Sequence, residues 1–362
     1  MDYESILEKQ FENVLEGENF SGISEETARL SEGLSDPFTL ENILQATLEQ
    51  KSLFQSSSMI ESLKELFLYE MKSAVILMAE ILCICIILGL LRSLSDGFGS
   101  KSVSQLSLLV CTMVIIGISL NSFRIAYGLA IDTVSTMVWT MEILMPVLMG
   151  ILIATGSVAG GTILSPLILG AVTGFGFLVK TFILPALYLS AVLSLINCLT
   201  EKNYVNKLAK LLRNGAVFLT GLILTVLTGV ITIQGLLTEA SDGVLMSAAK
   251  YSISTFIPIV GGFTSDTVEL FLRCMGSIRN MVGVFGLLSL LLMMAVPLLK
   301  ILIVGGIYKL TGALMEPVSE GKTANGLSDM GTAMISIASV LFFTCLLFIL
   351  FVTTIMNMGG GT

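Results

Sequence analysis

The stretch TAMISIASVLFFTCLLFILFVTTI, from Thr332 to Ile355, is 24 residues long and contains no charged side chain. An α-helix needs about 20 residues to cross the hydrocarbon core of a bilayer, so this stretch is long enough to span it. Four further stretches are similarly long and almost entirely apolar: Ala74–Leu91, Leu106–Phe123, Thr181–Leu199 and Ala216–Leu237. Because these runs are unbroken and do not alternate, helices are favoured over a barrel. The sequence therefore predicts an all-α polytopic membrane protein with about seven to eight hydrophobic segments.

The overall composition agrees with a membrane location and excludes several kinds of catalysis. Charged residues make up 13% of the chain, whereas about 25% is usual in soluble domains. The chain has no histidine, which excludes histidine acid–base catalysis, histidine metal ligands and Ser-His or Cys-His nucleophiles. The six cysteines lie nearly all in apolar runs, without the spacing of a zinc site or a disulfide framework. We expect no enzyme activity, no cofactor and no nucleic-acid partner.

Acidic residues are concentrated near the N-terminus. Residues 1–72 contain 15 Asp or Glu and 5 Lys or Arg, whereas the remainder contains 12 and 14. The stretch ESILEKQFENVL places Ile6, Leu7, Phe11 and Val14 on one helical stripe. The sequence thus predicts an acidic helical extramembrane region over 1–72 and a transmembrane domain over 73–362. The N-terminal region is interpreted either as a solvated helical cap or as a protein-docking module.

Basic residues between the apolar stretches predict the orientation of the chain, because lysine and arginine accumulate in cytoplasmic loops. The densest group comprises Lys202, Lys207, Lys210 and Arg213, which lie between two hydrophobic stretches. We therefore place this segment in the cytoplasm as a basic loop. Alternation of the helices then places residues 1–72 outside the cytoplasm, and the C-terminus also lies outside if residues 281–310 cross once.

The spacing of prolines suggests an internal repeat. Pro146 and Pro258 are 112 residues apart, and so are Pro185 and Pro297. At the same offset, the span 105–123 overlays 217–235. These matches predict tandem units at 105–216 and 217–328, followed by a final helix at 331–357. The alternative is a chance alignment of two apolar sequences.

Each unit contains a proline–glycine combination within or beside an apolar stretch. The first combines Pro146 with Gly150, and the second combines Pro258 with Gly261 and Gly262. A helix broken at membrane depth leaves backbone groups unpaired, which is tolerated only inside protein or along a polar cavity. The two segments are therefore candidates for discontinuous or re-entrant helices that line a cavity, as in transporters. An ordinary extramembrane loop is the alternative.

Several acidic residues lie inside or beside the apolar stretches. Glu80 lies within the stretch that begins at residue 74, and Asp132 and Glu142 flank the segment TVSTMVWTM. A charged side chain in hydrocarbon is costly, so each is expected to face protein or water. Asp266 and Glu269 would lie at the mouth of the predicted cavity, where carboxylates remain hydrated.

Three features follow one another along the chain: the acidic helical N-terminus, the basic mid-chain segment and the stretch IPIVGGFTSDTVE (257–269). By these three features, the chain resembles the stage III sporulation protein AE family of endospore-forming bacteria. The resemblance covers essentially the whole chain. Members usually begin with a signal peptide, and the opening MDYESILEKQ differs from them in this respect; a processed form would explain the difference.

The resemblance implies a multi-pass subunit of the complex between mother cell and forespore, located in the mother-cell-derived membrane around the forespore. It further implies permease-like transport or a channel role in a secretion-like assembly. A non-conducting membrane platform that anchors ring-forming proteins is the alternative. The partners implied are the lipid bilayer, further copies in an oligomer, and other stage III subunits that dock through residues 1–72. The family supplies no catalytic residues.

Overall fold

The computed structural model describes residues 18–31, parts of 64–90, and 101–155, 158–199, 205–256, 261–316 and 321–358. Side chains are not described for 101–108, 158–165, 234–256 and 261–273. Nearly all described residues are helical, and no strand occurs among them. The predicted all-α class is therefore confirmed.

Seven helices can be bounded in the described chain. They are α1 (Glu18–Leu30), α2 (Lys101–Ala154), α3 (Val158–Leu178), α4 (Leu184–Leu199), α5 (Asn206–Phe256), α6 (Gly261–Met315) and α7 (Gly321–Asn357). A π-helical turn, Val179–Ile183, joins α3 to α4 without interrupting the helical path. Helical residues also occur at 70–72, 74–84 and 86–87.

Five stretches in the described residues are long and apolar enough to cross a membrane. They are Leu109–Ala154, Pro166–Leu199, Asn206–Ile233, Cys274–Met315 and Gly321–Asn357. With 54 residues, α2 is about 81 Å long and exceeds what a bilayer requires. The predicted number of segments and the tandem repeat stay predictions.

Large apolar side chains fill the centre of the bundle. They recur three or four residues apart along α2, as expected for one buried face of a helix. Antiparallel α6 and α7 supply the facing side chains, and Thr140 of α2 lies 3.6 Å from the sulfur of Met293. The buried side chains in this centre include Met137, Met141, Leu144 and Leu148 of α2, Phe285 and Met293 of α6, and Phe348 and Phe351 of α7.

Glycines allow α6 and α7 to pack closely. A Cβ atom at Gly312 would lie 2.8 Å from the carbonyl oxygen of Ala324, and one at Gly305 would lie 3.2 Å from that of Gly331. Both distances are too short for an undisturbed contact. By contrast, a Cβ at Gly306 would meet nothing within 4 Å. Small residues at helix interfaces are typical of membrane bundles, where close packing drives association.

Prolines lie within the long helices and do not end them. Pro146 lies inside α2 and Pro297 inside α6. Near Pro185 the helical ladder widens, because proline has no N–H to donate to the carbonyl four residues earlier. Instead, Leu184 donates its backbone N–H to the carbonyl of Val179, five residues back. Such single π turns are a known adjustment inside α-helices.

Candidate functional site: a polar pocket at one end of the helix bundle

Four helix ends meet at one end of the bundle, and residues of three of these helices, α4, α5 and α7, enclose a polar pocket. Here α4 ends and α5 begins, and α6 ends and α7 begins. The pocket has a volume of about 240 Å³. It is lined by Ser194 and Asn197 of α4, Asn206 and Lys210 of α5, and Lys322, Asn325, Gly326, Ser328 and Asp329 of α7.

The C-terminal half of α4 directs one row of small polar side chains toward α5 and α7. Ser190, Ser194 and Asn197 are spaced four and three residues apart and are all buried, so they share a helical face. Ser190 donates its hydroxyl to the carbonyl oxygen of Ala209 at 2.7 Å, which fixes α4 against the first turn of α5. The pocket wall from α4 is thus held by a direct hydrogen bond.

The helix α4 also contacts the first turns of α7 beside the pocket. The thiol of Cys198 lies 3.5 Å from the carbonyl oxygen of Lys322, which it can reach as a weak donor. Gly326 lies directly against this thiol, and a Cβ there would overlap the sulfur. The absence of a side chain at residue 326 therefore permits α7 to approach α4.

An ion pair lies beside the pocket and includes the lining residue Asp329. Arg213 donates from Nη1 to the carbonyl oxygen of Asp329 at 3.1 Å and from Nη2 to the Oδ1 carboxylate oxygen at 3.3 Å. The Arg213 side chain is 8% exposed and that of Asp329 is 20% exposed. A charge pair with so little solvent contact requires such hydrogen bonds to offset its desolvation. The pair joins α5 to α7.

Two buried polar atoms in the pocket have no hydrogen-bond partner among the described residues. They are the hydroxyl oxygen of Ser194 and the side-chain oxygen of Asn206. Leaving a buried polar group unpaired costs about 1 to 3 kcal/mol. The pocket therefore offers hydrogen-bonding capacity that water or a ligand can use.

Three of the four basic residues identified in the sequence lie at this end of the bundle, in a helix and not in a loop. Lys207, Lys210 and Arg213 belong to the first two turns of α5, whereas the sequence suggested a loop. Lys207 is exposed, Lys210 lines the pocket and Arg213 is buried. Lys202 lies outside the described residues. Sequence reasoning treated these residues as an orientation signal and did not find the partner of Arg213 on α7.

Pro146 and Gly150, which were predicted to mark the first helix break, lie on α2 together with the predicted flanking charge Glu142. Glu142, Pro146 and Gly150 are exposed and spaced four residues apart, so they share a stripe. The helix continues through them to Ala154, and the chain turns after that residue. The predicted role of Pro146 and Gly150 in lining a cavity stays a prediction.

The predicted second break lies largely beyond the described part of the chain. Pro258 is outside the described residues, and Gly261 and Gly262 are the first residues of α6. Asp266 and Glu269 belong to α6, and their side chains are not described. Whether the two breaks face a shared cavity therefore stays a prediction.

Of the remaining predicted charges, Asp132 lies against α1. Arg29 of α1 donates to the carboxylate of Asp132 at 3.0 Å and to that of Glu26 at 2.8 Å. The hydrogen bond to Asp132, and to a lesser extent the one to Glu26, raises the pKa of Arg29 above its ordinary value. Glu80 is exposed. Lys300 of α6 pairs with the carboxylate of Glu70 at 3.1 Å.

The fold and the pocket define a polytopic helical membrane protein with a polar site at one end of its bundle. The family model of stage III sporulation protein AE matches residues 38–359, and the chain belongs to this family. The chain is 31% identical over 311 residues to the stage III sporulation protein AE of Bacillus subtilis (strain 168). The aligned residues make up 85% of this chain and 78% of that protein. No solved structure matches the chain.

Proposed function

We propose that the chain is a membrane subunit of the complex that links mother cell and forespore, and that it acts there as a platform for other subunits. Membership of the sporulation family supports the location in this complex. One structural observation supports the platform role: large apolar side chains fill the centre of the bundle. Leu144, Met293 and Phe348, which come from three different helices, are all fully buried.

A filled centre opposes the passage of polar solutes through a single copy. Protein interiors are packed about as densely as organic crystals, and they lack continuous space for water. A polar solute crossing this centre would lose its hydration without gaining hydrogen bonds, which costs several kcal/mol per group. Any conduction by the complex would then follow a path between subunits.

A permease-like role is the second candidate, and the polar pocket favours it. Ion-paired residues such as Arg213 and Asp329 near the end of a membrane bundle are common along transport paths. In this alternative, the pocket would be a vestibule that deepens when the helices move. The two candidates differ in one respect: only the permease requires water to reach the centre of the bundle.

The N-terminal acidic region is the proposed attachment site for partner subunits. Within this region, α1 is held on α6 by an edge contact between the rings of Phe20 and Phe285, with centroids 5.6 Å apart. A Cβ at Gly22 would lie 3.1 Å from the Trp139 ring. This docking would leave the rest of residues 1–72 available to ring-forming subunits outside the cytoplasm.

The proposal can be tested in a spore-forming host in which a tagged copy replaces the resident protein. We expect the tagged chain to lie in the membrane around the forespore and to copurify with the other stage III subunits during engulfment. Removing residues 1–17, which precede α1, should reduce copurification but leave membrane insertion intact. A chain spread evenly over all cell membranes, with normal spore yield after its deletion, would contradict the proposal.

A further inference from the structure

We propose that the polar pocket between α4, α5 and α7 binds a phosphate group. The group would belong either to the headgroup of an anionic phospholipid or to a soluble phosphate compound. Both carry the same anionic oxygens, which accept hydrogen bonds from ammonium, amide and hydroxyl donors.

The charges that line the pocket favour an anion. Lys210 and Lys322 contribute two ammonium groups, and Asp329 contributes the one carboxylate. That carboxylate already accepts a hydrogen bond from the buried guanidinium of Arg213 at 3.3 Å. The neutral lining residues Asn325 and Ser328 offer amide and hydroxyl donors. The described lining therefore has an excess of positive charge together with neutral donors.

The start of α7 adds a second favourable field. This helix has 37 residues, and the lining residues Lys322 to Asp329 occupy its first turns. The backbone N–H groups at a helix N-terminus carry partial positive charge and commonly bind phosphate. The partial positive charge at the start of α7 thus adds to that of Lys322, which lies in the first turn and lines the pocket.

An independent observation within the pocket indicates a ligand. Ser194 is 4% exposed, lines the pocket, and its hydroxyl has no hydrogen-bond partner among the described residues. It lies on α4, opposite the start of α7, so its hydroxyl is a donor on the other side of the cavity. The volume of about 240 Å³ exceeds many times that required by one water molecule.

The pocket lies where a phosphate would be available from a membrane. It is formed between helices at one end of a membrane bundle, at the end that the basic residues predict to be cytoplasmic. Basic pockets between transmembrane helices on that side commonly bind acidic headgroups. The same opening would also admit a soluble phosphate compound from the cytoplasm.

Two measurements on the purified full-length protein distinguish these sources. In the first, the protein is placed in nanodiscs of phosphatidylcholine that contain some phosphatidylglycerol. It is then released from the nanodiscs, and native mass spectrometry measures how much phosphatidylglycerol stays bound to it. In the second, protein in phosphatidylcholine alone is titrated with inorganic phosphate and the shift of its unfolding temperature is measured. Binding in the first measurement alone identifies a lipid headgroup, and binding in the second identifies soluble phosphate.

Variants connect either result to the pocket. The double variant Lys210→Gln/Lys322→Gln should weaken binding by about tenfold or more, because it removes two positive charges from the lining of the pocket. Asn325→Asp should also abolish binding, because it adds a carboxylate to the pocket. An acidic residue near a helix start does not destabilise the helix, so this variant separates binding from folding. Lys207→Gln, an exposed neighbour on α5 outside the pocket, is the matched control.

Each outcome decides the proposal. It is supported if the wild type and Lys207→Gln bind alike in at least one measurement while Asn325→Asp does not bind. It is overturned if neither probe binds, if the pocket variants bind as the wild type does, or if Lys207→Gln loses as much binding as the double variant.

Discussion

The guanidinium of Arg213 donates hydrogen bonds to both the carbonyl oxygen and the carboxylate of Asp329, a residue 116 positions later in the chain. This pair connects the second turn of α5 with the third turn of α7. Because both side chains are largely buried, the two helices cannot separate at this end without exposing or orphaning a charge. We therefore regard the pair as the fixed reference point of the pocket.

Breaking this ion pair from one side should destabilise the protein more than removing it entirely. Arg213→Met leaves the Asp329 carboxylate without its partner, and we expect a loss of about 3 kcal/mol in the free energy of unfolding. The double variant Arg213→Met/Asp329→Leu should recover most of that loss. Chemical unfolding in detergent micelles measures both, with Lys207→Met as the exposed control. Additive losses in the double variant would show that the two residues do not interact.

Glycine at position 305 should be required for the packing of α6 on α7, whereas its neighbour should not. Gly305→Leu places a side chain against Gly331 and Met334, and overpacking of this kind costs about 1 to 3 kcal/mol. Gly306→Leu points into open space and should leave stability unchanged or slightly higher. The comparison is made from the unfolding temperatures of the two purified variants. Equal unfolding temperatures would contradict the close helix contact.

The helix α1 should be held on the bundle by its buried face. Ile23 is fully buried there, and Ile23→Ala should weaken docking by about 2 to 4 kcal/mol. Amide hydrogen exchange should then become faster across residues 18–30 and remain unchanged in α6 and α7. Glu25→Ala, an exposed change on the same helix, serves as the control. Slow exchange in the Ile23 variant would mean that α1 is held by other contacts.

The two ends of the bundle should be accessible from opposite sides of the membrane. Lys207 lies in the first turn of α5 at the pocket end, and Asn357 ends α7, which is about 56 Å long. In a cysteine-free background, Lys207→Cys should react only with a reagent supplied to the cytoplasm and Asn357→Cys only with one supplied outside. Reaction of both cysteines with reagent from one side would contradict the helix arrangement. Reaction of Lys207→Cys only from outside and of Asn357→Cys only from the cytoplasm would contradict the orientation.

The class of fold could be predicted from the sequence because bilayer thickness determines the length of an apolar helix. Thr332–Ile355, for example, has no other stable environment, and it forms the greater part of α7. The effect of Pro146 could not be predicted in this way. A proline removes one backbone hydrogen bond, and neighbouring helices determine whether the helix continues or breaks. In this protein α2 continues through Pro146.

The pocket was only partly visible in the sequence. Lys207, Lys210 and Arg213 were recognised by their charge and their position between apolar stretches, which is local information. The partner of Arg213 was not recognised, because Asp329 lies in a separate part of the chain and only the packing of α5 on α7 joins them. Ser194 was missed for a related reason: a small polar residue in an apolar helix gives no signal until its neighbours are known.

The central claim is that the interior of this subunit is closed while the complex works, and the native Cys345 tests it most directly. Cys345 is buried in the middle of α7, with its thiol 3.6 Å from the carbonyl oxygen of Leu290. With the other five cysteines replaced, sporulating cells are treated during engulfment with a charged, water-soluble thiol reagent, and Asn357→Cys, an exposed position at the end of the bundle predicted to lie outside, serves as the reactive control. We predict that the control reacts, whereas Cys345 does not react and spore formation proceeds. Rapid modification of Cys345 during engulfment, with a block in spore formation, would show a water-filled path through the subunit and contradict the claim.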